Sequence, residues 1–74
     1  MSTVETLAAK LADDVIAAQD ETGNDRLFVE IGQVLAAASQ TLEEAFLTEC
    51  RVRMAERKGR AALERALAAH SADK

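Results

Sequence analysis

The sequence predicts an all-α protein built as a helical hairpin. Three observations favour this class: apolar residues recur every three or four positions, the chain has no proline, and alanine, leucine, glutamate and arginine are abundant. The 74 residues form one small domain, 1–74. Sixteen of the apolar residues are alanine. Few large side chains remain for a core, and we expect the subunit to oligomerise.

The first helix is predicted over about 3–21. Ser2 and Glu5 form the Ser-x-x-Glu pattern of a capping box at its start. Apolar residues then follow at helical spacing, at Val4, Leu7, Leu11, Val15 and Ala18. These residues share one face of the helix, which can therefore pack against another element.

A turn is predicted over 22–25, directly after this helix. Gly23 can adopt the left-handed conformation that ends many helices. Asn24 or Asp25 can cap the helix that follows. The chain therefore reverses here and begins a second helical segment.

The second helical segment, about 26–69, forms one helix or two, followed by a tail over 70–74. Its apolar residues fall on the alternating steps of a coiled-coil seam, at Phe28, Ile31, Leu35, Ala38, Leu42 and Ala45. One continuous helix would be roughly 65 Å long. Alternatively, the helix breaks near 38–41, where Thr41 and Glu44 form another capping box. We favour the continuous helix, because no glycine or proline enforces the break.

The continuous helix would be more than twice as long as the first helix, which can cover only part of it. Apolar residues left uncovered would need a second subunit, and a homodimer is the expected assembly. The candidate oligomer interface consists of Leu42, Phe46, Val52, Leu63 and Leu67.

Charge divides the chain into an acidic part and a basic part. Residues 1–50 carry two basic and ten acidic residues, a net charge of −8, whereas residues 51–74 carry seven basic and three acidic, a net charge of +4. Arg51, Lys58 and Arg65 repeat every seven residues and form a line facing away from the seam. This line is the candidate partner-binding site. The simpler interpretation is that these charged residues only keep this face of the helix in contact with solvent.

A second basic set lies beside the seam and consists of Arg53, Arg57 and Arg60. Two of these residues follow an acidic residue by four positions, the order that favours ion pairs within a helix. We also expect the set to pair with the acidic residues of the first helix, which are Asp13, Asp14, Asp20 and Glu21. Such pairs would fix the register of the helices more than their stability.

Groups that support catalysis or bind a cofactor are sparse. The single histidine, His70, and the single cysteine, Cys50, would be about 30 Å apart on one helix. Metal sites usually need clustered ligands, and the three glycines form no phosphate-binding loop. We therefore predict no enzyme activity, no metal and no cofactor. A cofactor-binding enzyme subunit stays possible only if the site is shared between chains.

The chain has no apolar run of the roughly 18 residues that a membrane span requires. Its start, Met-Ser-Thr-Val-Glu-Thr-Leu, lacks the features of a signal peptide. One cysteine forms no internal disulfide, which fits a reducing compartment. We predict a cytoplasmic protein that does not bind membranes.

Two function hypotheses follow. The first is a small interaction or oligomerisation protein that presents an apolar groove and a basic helical arm to a protein partner, as a regulator or chaperone would. The second is a small nucleic-acid-associated regulator that uses the Arg51, Lys58 and Arg65 line. The net negative charge and the absence of Trp and Tyr argue against nucleic acid.

Overall fold

Three helices make up the computed structural model, which describes residues 2–72. They are α1 (Thr3–Thr22), α2 (Leu27–Ala38) and α3 (Gln40–Ala72), and the described residues contain no strand. The predicted all-α class is therefore confirmed.

The start and the end of α1 agree with the sequence pattern. The Ser2 hydroxyl accepts a hydrogen bond of 3.1 Å from the Glu5 backbone N–H. Gly23 ends the helix in the left-handed conformation, with φ 76°, and its N–H donates to the Gln19 carbonyl at 2.9 Å. A side chain at this φ would be strained, which explains the glycine.

The second helical segment is broken, so the favoured continuous helix was wrong. Ser39 is extended, with φ −162° and ψ 109°, and its N–H donates to the Leu35 carbonyl at 2.7 Å. Its hydroxyl accepts a hydrogen bond of 3.1 Å from the Leu42 N–H, which caps α3. The capping residue is therefore Ser39 and not Thr41. The helix α3 then extends through Ala72, beyond the predicted start of a tail at 70. Residues 73–74 lie outside the described part.

The three helices run up, down and up. Arg53 of α3 contacts the Ala9 carbonyl and Asp13, while Arg57, further along α3, contacts Asp20, further along α1. These contacts advance in the same direction on both helices, so α1 and α3 are parallel. The shorter α2 reverses between them.

The core lies between α1 and α3 and is closed on one side by α2. Its buried apolar residues are Ala8, Ala12, Val15, Ile16, Phe46 and Cys50. Phe46 is 0% exposed, so the prediction that Phe46 waits for a second subunit was wrong. The chain's own α1 covers this residue, because the break at Ser39 places α3 beside α1.

The C-terminal part of α3 extends beyond the other helices. We call residues 58–72 the arm, and the rest of the described chain the body. Every residue of the arm is exposed except the half-buried Ala61. At 1.5 Å per residue the arm is about 22 Å long. It gives the molecule its elongated shape, with extents of 55 × 29 × 14 Å.

Candidate protein-interaction surface

Three large apolar side chains on α3 are uncovered by the rest of the chain. Val52 is 60% exposed, Leu63 54% and Leu67 58%. Separations of eleven and four residues place all three on one side of a helix. Glu56 and Gly59 lie between them on this side, and a Cβ added at Gly59 would meet nothing within 4 Å. The result is an apolar stripe along α3 that turns away from the core.

An open groove lies between α1 and α3, beside the Val52 end of this stripe. Its volume is about 570 Å³. Its lining residues are Asp13, Ile16, Ala17 and Asp20 from α1, and Val52, Arg53, Glu56 and Arg57 from α3. Three of these eight lining residues are apolar, and five are charged. An amphipathic helix can bind a groove that offers apolar contacts.

Ion pairs connect the two helices along the groove. Arg53 Nε is 2.7 Å from Asp13 Oδ1, and Arg53 Nη1 is 2.6 Å from Glu49 Oε1. Both terminal nitrogens of Arg57 donate to Asp20 at 2.8 Å. The predicted pairing of the acidic first helix with these arginines is therefore present for Asp13 and Asp20, whereas Asp14 pairs with Lys10 and Arg60 with Glu56.

These contacts change the protonation equilibria of the groups involved. The hydrogen bond from Arg57 lowers the pKa of the Asp20 carboxyl below 3.8. Hydrogen bonds to Glu49 and Asp13 raise the pKa of the Arg53 guanidinium. The Asp20 carboxyl and the guanidinium groups of Arg53 and Arg57 are therefore charged at neutral pH, and they form fixed ion pairs along the groove.

The predicted partner-binding line, Arg51, Lys58 and Arg65, is exposed on α3. None of the three makes an ion pair with any residue that the structure describes. Arg60 differs, because its Nε is 2.7 Å from Glu56 Oε1. The two basic sets are thus distinct in the structure: one is paired, and the other projects into solvent.

The predicted oligomer interface is divided by the structure. Val52, Leu63 and Leu67 are exposed on α3, whereas Phe46 is buried and Leu42 is half-buried against the core. Sequence analysis placed all five on one surface because it favoured a single long helix.

The contribution of α1 to the groove was missed. Ile16 and Ala17 lie between Asp13 and Asp20, and all four line the groove. From the sequence, Asp13 and Asp20 were expected only as ion-pair partners, and the apolar face of α1 was assigned to Val4, Leu7, Leu11, Val15 and Ala18.

Cys50 is fully buried, and desolvation raises the pKa of its thiol above 9.0. Within residues 2–72, no three metal-ligating side chains are grouped closely enough to hold a metal ion. None of the helices in this range has the length and apolar character needed to cross a membrane.

Comparison with known proteins returned no match: no family model, no curated protein and no solved structure is similar to this chain.

Proposed function

We propose that this chain is a helical interaction protein that binds a protein partner through the apolar stripe and the groove. The observation that carries this proposal is the exposure of Leu63 and Leu67, at 54% and 58%, on an arm that contacts almost nothing else in the chain. Leucine favours the helical conformation of the arm, but alanine does so at least as well and without exposing a large apolar side chain. Covered by a partner, the same leucines stabilise the complex.

The exposed apolar side chains of this surface supply part of the free energy of binding. Burying a leucine or valine side chain fully contributes about 1.5–3 kcal/mol. More than half of the surface of each of Val52, Leu63 and Leu67 is exposed. A partner that covers all three side chains therefore gains a part of this burial energy from each of them. A helix laid into a groove, with apolar contacts at helical spacing, is an established mode of recognition.

The test compares the wild-type chain with the double variant Leu63→Glu/Leu67→Glu. Each chain is immobilised and exposed to an extract of the source cell. We expect a partner that the wild type retains and the variant loses, while circular dichroism shows the same helical content for both. Val34→Glu is the matched control, because Val34 is 68% exposed but lies on α2, away from the stripe. Equal retention by all three chains would refute the proposed function.

A second candidate function is nucleic-acid binding by Arg51, Lys58 and Arg65, favoured by their exposure and their lack of ion pairs within the described residues. Three phosphate contacts would give a salt dependence of only about −2.7 in log K against log salt. The body's negative charge opposes such binding. Salt-dependent retention on DNA that is lost in the triple glutamine variant would support it.

We further propose that the chain acts by binding, without a catalytic step or a cofactor, and in a reducing compartment such as the cytoplasm. The buried, protonated thiol of Cys50 supports the first point, since it is not a nucleophile. His70, the single histidine, lies in the exposed arm, apart from the groove.

A further inference from the structure

The arm and the groove of this molecule complement each other, yet one chain cannot join them. The arm continues α3 in a straight line away from the groove, so it cannot fold back into it. We infer, building on the binding role proposed above, that the partner is a second copy of this chain. The arm of each copy lies antiparallel in the α1–α3 groove of the other, with Leu63 and Leu67 against the exposed residues Ala17 and Val52.

Charge favours this arrangement over pairing of the two arms. Residues 58–72 carry Lys58, Arg60 and Arg65 against Glu64, a net charge of +2, whereas the body, residues 2–57, carries five basic and eleven acidic residues, a net charge of −6. Two arms side by side would bring two positive segments together. An arm in the partner's groove instead brings a positive segment to the acidic body, which strengthens association and fixes the orientation.

Surface area gives an independent argument. A compact monomer of 7.9 kDa has an accessible surface of about 4,400 Å² by the usual scaling with mass. This chain exposes 5361 Å². The excess, about 950 Å², is close to the roughly 800 Å² that each partner buries in a standard interface. The elongated subunit therefore exposes about as much additional surface as a dimer would cover.

Symmetry makes the assembly closed. Each copy supplies one arm and one groove, so a single two-fold axis satisfies both and leaves neither exposed. A heterologous contact, in which the arm of one copy binds a second copy whose own arm stays free, would instead continue into filaments. The inference therefore specifies a dimer.

The experiment measures the mass of the full chain by sedimentation across micromolar concentrations. The arm variant is Leu63→Glu/Leu67→Glu, and the groove variant is Ala17→Arg/Val52→Arg, which repels a basic arm. We expect a wild-type dimer and about a hundredfold or greater weakening in each variant. Val34→Glu is the control and stays dimeric. All four replaced residues are exposed, so the fold of each variant is expected to persist.

The decisive measurement is an equimolar mixture of the arm variant and the groove variant. An arm in a groove predicts recovered dimers, because the mixed pair contains one intact arm facing one intact groove. Its other contact places introduced glutamates against introduced arginines. A mixture that stays monomeric would overturn the inference. A groove variant that forms dimers by itself would show that arms pair with arms, and this result would overturn the inference as well. A wild-type chain that stays monomeric would also overturn it.

Covalent trapping provides a second measurement if the groove variant fails to fold. Chains carrying Ala17→Cys and chains carrying Ala66→Cys are mixed and oxidised, and we expect a mixed disulfide dimer. Native Cys50 does not interfere, since it is 0% exposed. Linkage of Ala66→Cys chains only to each other would contradict the antiparallel arrangement. If the wild type is monomeric but still captures another protein through Leu63 and Leu67, the second copy is excluded and the binding function stands.

Discussion

The side-chain oxygen Oε1 of Gln19 accepts a hydrogen bond of 2.8 Å from the backbone N–H of Phe28. Gln19 belongs to the last part of α1, and Phe28 to the first turn of α2. Gln19 is also the buried polar residue of the described chain, with 8% of its surface exposed. One glutamine therefore caps the helix that follows its own, and it fixes the angle at which the chain reverses.

Replacing Gln19 tests this cap. Gln19→Ala leaves the Phe28 N–H without its partner in a half-buried position, and we expect a loss of about 1–2 kcal/mol in the free energy of unfolding. Chemical denaturation monitored by circular dichroism measures the change. Gln33→Ala, an exposed position on α2, is the control and stays within about 0.5 kcal/mol of wild type. Equal effects of the two substitutions would exclude the capping role.

Two glycines inside helices give a matched comparison. A Cβ at Gly32 would lie 3.0 Å from Leu47 Cδ2, whereas a Cβ at Gly59 meets nothing within 4 Å. Alanine is better than glycine in a helix by about 1 kcal/mol, so Gly59→Ala stabilises by up to that amount. Gly32→Ala gains less, because Leu47 must shift, and Gly32→Val destabilises.

The free energy of unfolding of each glycine variant is measured by denaturation in a chain that also carries Leu63→Glu/Leu67→Glu. This double substitution prevents association of the chains from adding to the measured stability. A larger gain from Gly32→Ala than from Gly59→Ala would show that α2 and α3 are not packed as closely as described.

The pair formed by Asp20 and Arg57 predicts a specific pH dependence. The folded pKa of Asp20 lies below its ordinary value of 3.8. A carboxyl whose pKa is lowered by folding stabilises the protein above the unfolded pKa, and this contribution is lost as the pH falls through the folded pKa. An NMR titration of the Asp20 carboxyl carbon should have its midpoint below 3.8. Arg57→Gln should raise the midpoint, while Lys58→Gln, on the other side of α3, should not change it.

Burial of Cys50 predicts a thiol that does not react in the folded protein. Its pKa is raised above 9.0 by desolvation, so raising the pH through that value favours the unfolded chain, which loses its proton first. At pH 8, an aromatic disulfide reagent should modify Cys50 about a hundredfold or more slower than an exposed thiol, because reaction requires opening of the core. Thr48→Cys in a Cys50→Ala chain is the exposed reference. Comparable rates would contradict the burial.

Local patterns predicted much of the fold. The Ser2 cap, the Gly23 turn and the boundaries of α1 follow from residues adjacent in sequence, and the structure has them within one or two residues. The groove-side ion pairs were also foreseen, because the opposite charges of α1 and α3 are plain in the sequence.

The break at Ser39 was harder to predict, because its cause is not local. Ala-Ala-Ala-Ser-Gln is compatible with a continuous helix, and a lone serine costs little in one. The break is stabilised by packing that it makes possible: it returns Phe46 and Cys50 to α1, where both are fully buried. The free energy gained by burying these two side chains depends on contacts between residues about 35–40 positions apart. Helical periodicity alone does not reveal such contacts.

The arm and the body should unfold differently on heating. The body unfolds cooperatively, because three helices share one core, but the 58–72 segment obeys a helix–coil equilibrium of its own. An isolated helix of about 15 residues is marginal in water. A free arm should therefore melt gradually, and its amides should exchange with solvent much faster than those of Phe46 or Val15. Once another surface covers the arm, the melting of the arm and the unfolding of the body should merge into one transition. The shape of a melting curve therefore reports whether the arm is bound.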